Sequence, residues 1–299
     1  MSNRPTWQER PTVFGLTLKG LVLTLIVLCM IYPIYVVVLT SLSSAGTVTE
    51  AGGLVTLPGE LSLGAYRELF SGGVVTRAVL VSTGVTVVGT TVSLGLTVLA
   101  AYGLSRTGSL LHRPLLFLFL LTFLFTPGMI PSYLVVREMG LIDSYWSLIL
   151  PTAVNAFNLV VMRAFFMNIP GEVLDSARMD GAGDFRILWR IVLPMSKGVT
   201  AVIGLFYAVG YWNAFFNAVL YINDNSKWPL QLILRQYVQQ GMDLVPNTRT
   251  ADMAAGYALP PNLAIKMAII VVALVPVLII YPFVQRHFTK GVIIGAVKG

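Results

Sequence analysis

Charge is scarce in this chain. Only 11% of its 299 residues are Asp, Glu, Lys or Arg, while 56% are hydrophobic, and the mean hydropathy is +0.79. An ordinary soluble domain carries roughly 25% charged residues, so a water-soluble body of this length would lack the polar surface to cover itself. The apolar residues also run unbroken for long stretches, which argues against a large globular enzyme. Cysteine is nearly absent: Cys29 stands alone inside one apolar run, so no intrachain disulfide or cysteine metal cluster can form. The two histidines, His112 and His287, lie in separate polar segments, and no H-E-x-x-H or nucleophile–base constellation appears. No catalytic residue, metal site or bound cofactor is therefore expected. A phosphate-cradling G-x-x-x-x-G-K-[ST] loop is missing too, so the chain itself should not bind ATP.

What is there is apolar length. A membrane-spanning helix needs roughly 20 mostly apolar residues, because the bilayer offers no water to exposed backbone groups. Six stretches qualify: Gly20 to Leu42, Ala78 to Leu104, Leu115 to Val136, Tyr145 to Phe166, Gly198 to Ile222 and Ala264 to Val284. Pro33, Pro127, Pro131 and Pro276 fall within or near them, which membrane helices tolerate when neighbouring groups satisfy the freed carbonyls. The first run is too long for the apolar region of a cleavable signal peptide. The expected fold class is an all-α membrane protein with six transmembrane helices in contact with lipid. Lys and Arg set its direction. With the N-terminus inside, thirteen of the 20 basic residues fall in cytoplasmic segments and six outside, with Lys266 at the outer end of the last span. Both termini are then cytoplasmic, and the net charge of +7 reflects topology rather than a nucleic-acid partner. Residues 1–19 form a cytoplasmic N-terminal segment, 20–285 one transmembrane domain and 286–299 a cytoplasmic tail. Two outside connections are long, Ser43 to Arg77 and Asn223 to Asn262, with Pro58-Gly59, Gly72-Gly73 and Pro260-Pro261 as turns. Tyr66, Leu69 and Phe70 mark a short amphipathic helix on the outer surface.

Against this background, charge gathers between the fourth and fifth spans, in the hairpin 168–197. Pro170 suits a first helical turn, Glu172 and Asp175 lie near its positive end, and Val173, Leu174 and Ala177 fall on one side. Gly181 and Gly183 permit a tight reversal with positive φ. Asp184 can cap a second helix, in which Phe185, Leu188, Trp189 and Val192 make one apolar face. Arg186 and Arg190 occupy another face, and Pro194 closes the helix. One reading is a loop lying flat on anionic lipid. The polar face of such helices is strongly basic, however, whereas here acids are mixed among the bases. A compact patch of mixed charge with apolar anchors better suits a groove on a cytoplasmic protein.

These residues carry a resemblance. Asp175-Ser176-Ala177, then Gly181 six positions after the acid, then Ile191-x-Leu193-Pro194 resemble the cytoplasmic "EAA" signature of binding-protein-dependent ABC importers, with Asp in place of Glu and Ser in place of the first Ala. "AYGLSR" ending the second span, "IPSYLVVREMGLIDSYWSLILP" around the third and fourth, and "YWNAFFNAVLYI" in the fifth are similar to the sugar-permease branch. The terminal "YPFVQRHFTKGVIIGAVKG" is similar to permeases for complex or acidic oligosaccharides, with maltose-type permeases more distant relatives. The resemblance implies a type I ABC importer permease fold with a cytoplasmic coupling helix, in a bacterial cytoplasmic membrane. It implies a second homologous permease, two cytoplasmic ATP-binding subunits that hold ATP and Mg, an extracytoplasmic solute-binding protein and an oligosaccharide cargo. It places the ATPase contact on Glu172, Asp175, Ser176, Ala177, Asp180, Gly181 and Ala182. Asp175 would supply charged hydrogen bonds, Ala177 close approach and Gly181 the turn, while Leu188 and Trp189 would anchor the hairpin to the membrane domain.

Within the spans, Asn155, Asn158, Asn213 and Asn217 could hydrogen-bond sugar hydroxyls, and Tyr211, Trp212 and Phe216 could stack on sugar faces. Asn213 and Asn217 stand one helical turn apart and would share a face. Interhelical hydrogen bonds, worth about 0.6 kcal/mol on average in membranes, and plain aromatic packing are the competing uses. Arg163 is expected to snorkel to the cytoplasmic interface and Lys266 to the outer one. Lys266 or Arg235 near the outer mouth could attract an acidic cargo. A proton- or sodium-coupled carrier would place carboxylates or histidines within the membrane, yet all thirteen acids and both histidines lie outside the six spans. A permease for a non-sugar solute is the other alternative.

Overall fold

The computed structural model describes residues 12–106, 108, 111–239 and 262–296. Readings on the remaining residues, among them the Pro260-Pro261 turn and the charges of Arg4, Arg10, Arg249 and Lys298, lie outside the described residues. The chain forms two compact units, one from Met1–Ser71 and Asp243–Val272, the other from Gly72–Met242 and Ala273–Gly299.

The first unit is built on one long helix, α1 (Val13–Ser41). It starts seven residues before the apolar run does, because Thr12 Oγ1 accepts the Gly15 N–H at 3.2 Å and caps the first turn. At 1.5 Å per residue its 29 residues extend about 44 Å, more than the roughly 30 Å hydrocarbon core of a bilayer. Its side chains are exposed as far as Tyr35, and nearly all are apolar, a surface suited to lipid. Two short helices, α2 (Ala45–Glu50) and α3 (Gly64–Ser71), follow. The connection between them is stitched to the end of α1. Ser62 N–H donates to Leu42 O at 2.7 Å and Ser44 N–H to Glu60 O at 2.9 Å. Val55 N–H reaches Thr40 Oγ1 at 3.0 Å, and Ser41 Oγ and Tyr66 OH share a 2.8 Å bond. Of the three residues that marked α3 as amphipathic, Leu69 is buried, Tyr66 is half-buried and Phe70 is exposed.

The second unit centres on α4 (Val74–Ser105), 32 residues without a break. Ala78, Ser82, Val85, Gly89, Ser93, Thr97 and Ala101, spaced by three or four, make one buried stripe of small residues, against which other helices approach closely. The next three apolar stretches are broken where continuous spans are predicted. The third is α5 (His112–Leu124) and α6 (Met129–Glu138). Pro127 interrupts it by removing a backbone donor and pushing Thr126 out of helical conformation. The fourth is α7 (Trp146–Ile149), a 3-10 turn (Leu150–Thr152) and α8 (Ala156–Met167), bent by 54°. The hairpin supplies α9 (Gly171–Met179) and α10 (Asp184–Ile187), the latter running through a π turn (Leu188–Val192) into α11 (Leu193–Met195). The fifth is α12 (Lys197–Trp212), at 87° to the hairpin's second helix, followed by α13 (Phe216–Tyr221). Next come α14 (Leu230–Gln239) and, shared by both units, α15 (Asn262–Ala296), which continues through Pro276 and Pro282. Among the described residues, three helices are long and apolar enough to cross a membrane, or up to five if each bent pair is one crossing. α4 packs on α8 and α12 over a core that includes Val98, Met162, Val199 and Ile203, and the hairpin's Ile187 and Leu188 enter the same core.

Candidate functional site

The hairpin turns where the glycine spacing predicts. Helix α9 follows Pro170, which sits at the N-cap position, one residue earlier than expected. Its end is a Schellman motif: Ala182 N–H donates to Ala177 O at 2.9 Å and Gly181 N–H to Arg178 O at 3.0 Å. That motif requires the left-handed conformation at Gly181, whose φ is +77°. Glu172, Asp175, Ser176, Asp180 and Gly181 lie on an exposed surface, Ala182 is half-buried, and Ala177 faces inward as the buried residue of α9. Asp175 Oδ1 pairs with Arg178 Nη1 at 2.8 Å, and Ser176 Oγ donates to Glu172 O at 2.8 Å.

Several details of the second helix differ from the sequence reading. Gly183 has a φ of −71° and takes the N-cap position itself, so Asp184 opens α10 without capping it. Of the predicted apolar face, Leu188 and Val192 are buried, but Phe185 and Trp189 are 71% and 63% exposed. Ile187 and Leu188, not Trp189, anchor the hairpin. Val173 is also exposed. The physical reason is a competing stripe: Ile187, Leu188 and Val192 are buried and Ile191 half-buried, at i, i+1, i+4 and i+5, which leaves Phe185 and Trp189, one turn apart, on the outward side. The helix runs through a π turn (Leu188–Val192), passes Pro194 and ends at Met195, one residue beyond the predicted close.

Asp184 is engaged instead by the end of α4. Arg106 Nη1 lies 2.6 Å from Asp184 Oδ1, the guanidinium sits 4.4 Å from the Tyr102 ring centroid and Nη2 donates to Tyr102 OH. Tyr102 OH donates to Asp184 O at 3.2 Å. A cleft of about 770 Å³ lies beside this cluster, lined by Tyr102, Arg106, Leu174, Arg178 and Phe185. Arg163, predicted to snorkel, donates from Nε to Leu104 O at 2.7 Å and so satisfies a free carbonyl at the end of α4.

A second cavity, about 380 Å³, gathers Asn155, Asn158, Tyr211 and Asn217 from the sequence reading, together with Thr152, Phe157, Phe206 and Tyr207. Asn155 is also the N-cap of α8, its Oδ1 accepting Asn158 N–H at 3.1 Å. The tyrosine hydroxyls are already spent. Tyr211 OH donates to Ile149 O at 3.2 Å and shares a 2.7 Å bond with Ser93 Oγ. Tyr207 OH accepts Asn155 N–H at 3.0 Å and bonds Thr97 Oγ1 at 2.7 Å. Among the described residues, the side-chain amides of Asn158 and Asn217 have no partner. Trp212, Asn213 and Phe216 lie outside this cavity. Trp212 Nε1 donates to Ala273 O at 3.0 Å, and Asn213 Nδ2 turns back to Val209 O at 2.9 Å. Because α12 ends at Trp212, Asn213 and Asn217 are not on one helix and do not share a face. Sequence reasoning missed Ser93, Thr97 and Tyr207. The signal was present as two tyrosines one turn apart, opposite hydroxyls also one turn apart.

On the other side of α13, Asp143 fastens two turns. It has a φ of +60°, which aspartate tolerates better than most residues. Its carboxylate accepts Asn223 N–H at 2.5 Å, Asp224 N–H at 3.0 Å and the Asn223 amide at 3.2 Å. Lys227 Nζ donates to its carbonyl at 2.8 Å. The Asp224 N–H foremost, then the Asn223 donors, hold its carboxyl below the usual aspartate value.

Comparison with known proteins places this geometry in context. The family described as "Binding-protein-dependent transport system inner membrane component" matches residues 92–294. The polygalacturonan/rhamnogalacturonan transport system permease protein YtcP of Bacillus subtilis (strain 168) is 46% identical over 291 residues, 96% of this chain and 99% of that protein. Among solved structures, a chain from a bacterial ABC transporter involved in the import of the acidic polysaccharide alginate aligns with a TM-score of 0.86. It is 31% identical and covers 95% of this chain and 100% of its own. A chain from a bacterial alginate ABC transporter in complex with alginate pentasaccharide-bound periplasmic protein aligns at 0.54. That chain is 16% identical, with coverage of 91% and 94%, a likeness of fold.

Proposed function

The chain belongs to the binding-protein-dependent transport system inner membrane components, and from that premise we propose that it forms one half of an oligosaccharide path through a bacterial cytoplasmic membrane. As a permease subunit of an ABC importer it is a transport component and not an enzyme. Six crossings with both termini cytoplasmic fit the distribution of Lys and Arg. In that topology residues 20–285 form the permease domain, and 1–19 and 286–299 are its cytoplasmic ends. The hairpin 168–197 then meets a cytoplasmic ATPase through the exposed Glu172, Asp175, Ser176 and Asp180, with Gly181 setting the turn. ATP and Mg are held by two such partner subunits. A solute-binding protein delivers cargo from outside, a reading supported by the periplasmic protein in the related alginate complex.

A second membrane subunit is called for on physical grounds. The break Phe125–Gly128 is exposed in the isolated chain, and unwound backbone is not stable against lipid. Another protein must cover it or shape a water-filled path around it.

The observation that carries the cargo assignment is the 380 Å³ cavity with two free amides and the four aromatic rings of Phe157, Phe206, Tyr207 and Tyr211. Amides match hydroxyls, rings match sugar faces, and the pocket is within the usual range for small ligands. Among the described residues its lining holds no charged side chain, so these residues contribute amide and ring contacts rather than neutralisation of a uronate. The names of the relatives make uronate oligosaccharides the first cargo to try. The test is uptake of labelled oligogalacturonates and neutral oligosaccharides by vesicles holding the complete assembly. ATP-dependent entry of either class supports the reading. Entry that persists without ATP and collapses with the proton gradient overturns it.

A further inference from the structure

We infer that Arg106 and Asp184 are positioning residues for transport, and that their ion pair makes α4 the strut between the hairpin and the walls of the sugar cavity. The inference rests on the importer reading above and adds to it a route for the movement.

Three observations carry it. The first is the attachment. Tyr102, in the last turn of α4, and Arg106, the residue that follows the helix, both hold Asp184, the first residue of the hairpin's second helix, the arginine at 2.6 Å to its carboxylate and the tyrosine at 3.2 Å to its carbonyl. The second is stiffness. α4 runs unbroken for 32 residues, while the fourth and fifth apolar stretches are each interrupted, so among these elements α4 can move without bending internally. Its cytoplasmic end is also tied to α8 by Arg163. The third is what α4 touches farther along. Thr97 and Ser93 lie eight and twelve residues before Ser105, the last residue of α4, about 12 and 18 Å along the axis. There they bond Tyr207 and Tyr211, the two tyrosines in the cavity wall. Those hydroxyls reach on to the backbone at Asn155 and Ile149, on either side of the bend in the fourth stretch. A displacement of Asp184 is thus passed through fixed polar contacts to both sides of that bend.

The Asp184 side chain is 64% exposed and that of Arg106 25%, and an ion pair with one partner this open to water contributes little to folding stability. Their removal should therefore spare the fold and disturb the movement.

The experiment uses the complete assembly with Cys29→Ser and Ala214→Cys, which puts one thiol in the cavity lining. The rate of its reaction with a water-soluble maleimide is measured with and without ATP and vanadate. In this parent the nucleotide should change the rate by about fivefold or more, and Arg106→Gln or Asp184→Asn should reduce the change to under about twofold. The exchange pair Arg106→Asp with Asp184→Arg should restore it. Co-purifying ATPase subunits and the melting temperature should be unchanged throughout. A parent thiol indifferent to nucleotide, single variants that respond like the parent, or variants that lose their ATPase subunits or stability would each overturn the inference. Failure of the parent itself to retain any ATPase would instead remove the importer reading.

Discussion

Replacing Gly181 isolates backbone geometry from packing. Its φ of +77° lies in the left-handed region, and a Cβ built there meets nothing within 4 Å. Any penalty is then conformational and not steric. For an ordinary L-residue the left-handed conformation costs about 1–2 kcal/mol, with Asn relatively tolerant, and about 1–3 kcal/mol covers strained cases such as a β-branched side chain. One to two kcal/mol is about a 5–30-fold change in an equilibrium. The expected order of function is therefore Gly, then Asn close behind, then Ala, then Val, with Val lowering the population of the native turn by about that factor. The assay pairs co-purification of the ATPase subunits with initial rates of ATP-driven uptake in vesicles. Both readouts should fall in the same order, because the turn aims α9. If Gly181→Val matched the wild type in both, or if Asn were worse than Val, the Schellman turn would not be what presents the hairpin.

Three further outcomes follow from the geometry. Asn158→Ala and Asn217→Ala should each lower uptake several-fold while leaving the melting temperature within about 1 °C, since neither side-chain amide has a hydrogen-bond partner to lose among the described residues; unchanged uptake in both would remove the cavity from the path. Gly89→Ala puts a Cβ 2.9 Å from three ring atoms of Tyr211, whose hydroxyl is held by two bonds, so the ring cannot swing away freely. Destabilisation of about 1–3 kcal/mol is expected, read as a lower melting temperature, and an unaffected melt would mean that α4 and α12 do not pack this closely. Asp143 is held below its usual value of 3.8 by hydrogen bonds to the charged form. Its contribution is therefore fully present above pH 3.8 and lost as pH falls through the lower folded value. Limited proteolysis of the 222–228 segment should accelerate over that window in the wild type, and Asp143→Ala should show the fast rate already at neutral pH.

The class of the molecule was legible in its shortage of charge, because a bilayer and a water-exposed surface demand opposite compositions. The hairpin was legible in Asp175, Gly181 and Pro194, because a Schellman turn needs a glycine that few other contexts tolerate. The facing of α10 was not. Phe185, Leu188, Trp189 and Val192 fit a 3.6-residue period, but so do Ile187, Leu188, Ile191 and Val192, and the second set is the one that turns inward. Helix continuity was equally hidden. Pro127 broke the third stretch, yet Pro33, Pro276 and Pro282 lie inside helices that continue. A proline removes the same donor in every case, and whether the helix survives depends on what surrounds the freed carbonyl. Among the cavity residues, Asn155, Asn158 and Asn217 were found through side-chain chemistry, whereas Asn213 was misplaced by assuming a helix through the Ala214 region.

The two breaks of the fourth and fifth stretches have a common explanation. Non-helical backbone survives at membrane depth only where protein covers it or where it lines a water-filled cavity. Thr152 and Asn155 flank one break, Ala214 lies in the other, and all three line the same 380 Å³ cavity. At the first break the structure also supplies a partner for the released backbone, since Asn155 N–H is taken by Tyr207 OH. An uninterrupted pair of helices would direct every N–H and C=O into its own ladder and leave only side chains to line the cavity. Interrupting both beside one cavity instead gathers polar groups within a largely apolar bundle, next to α4, which runs unbroken.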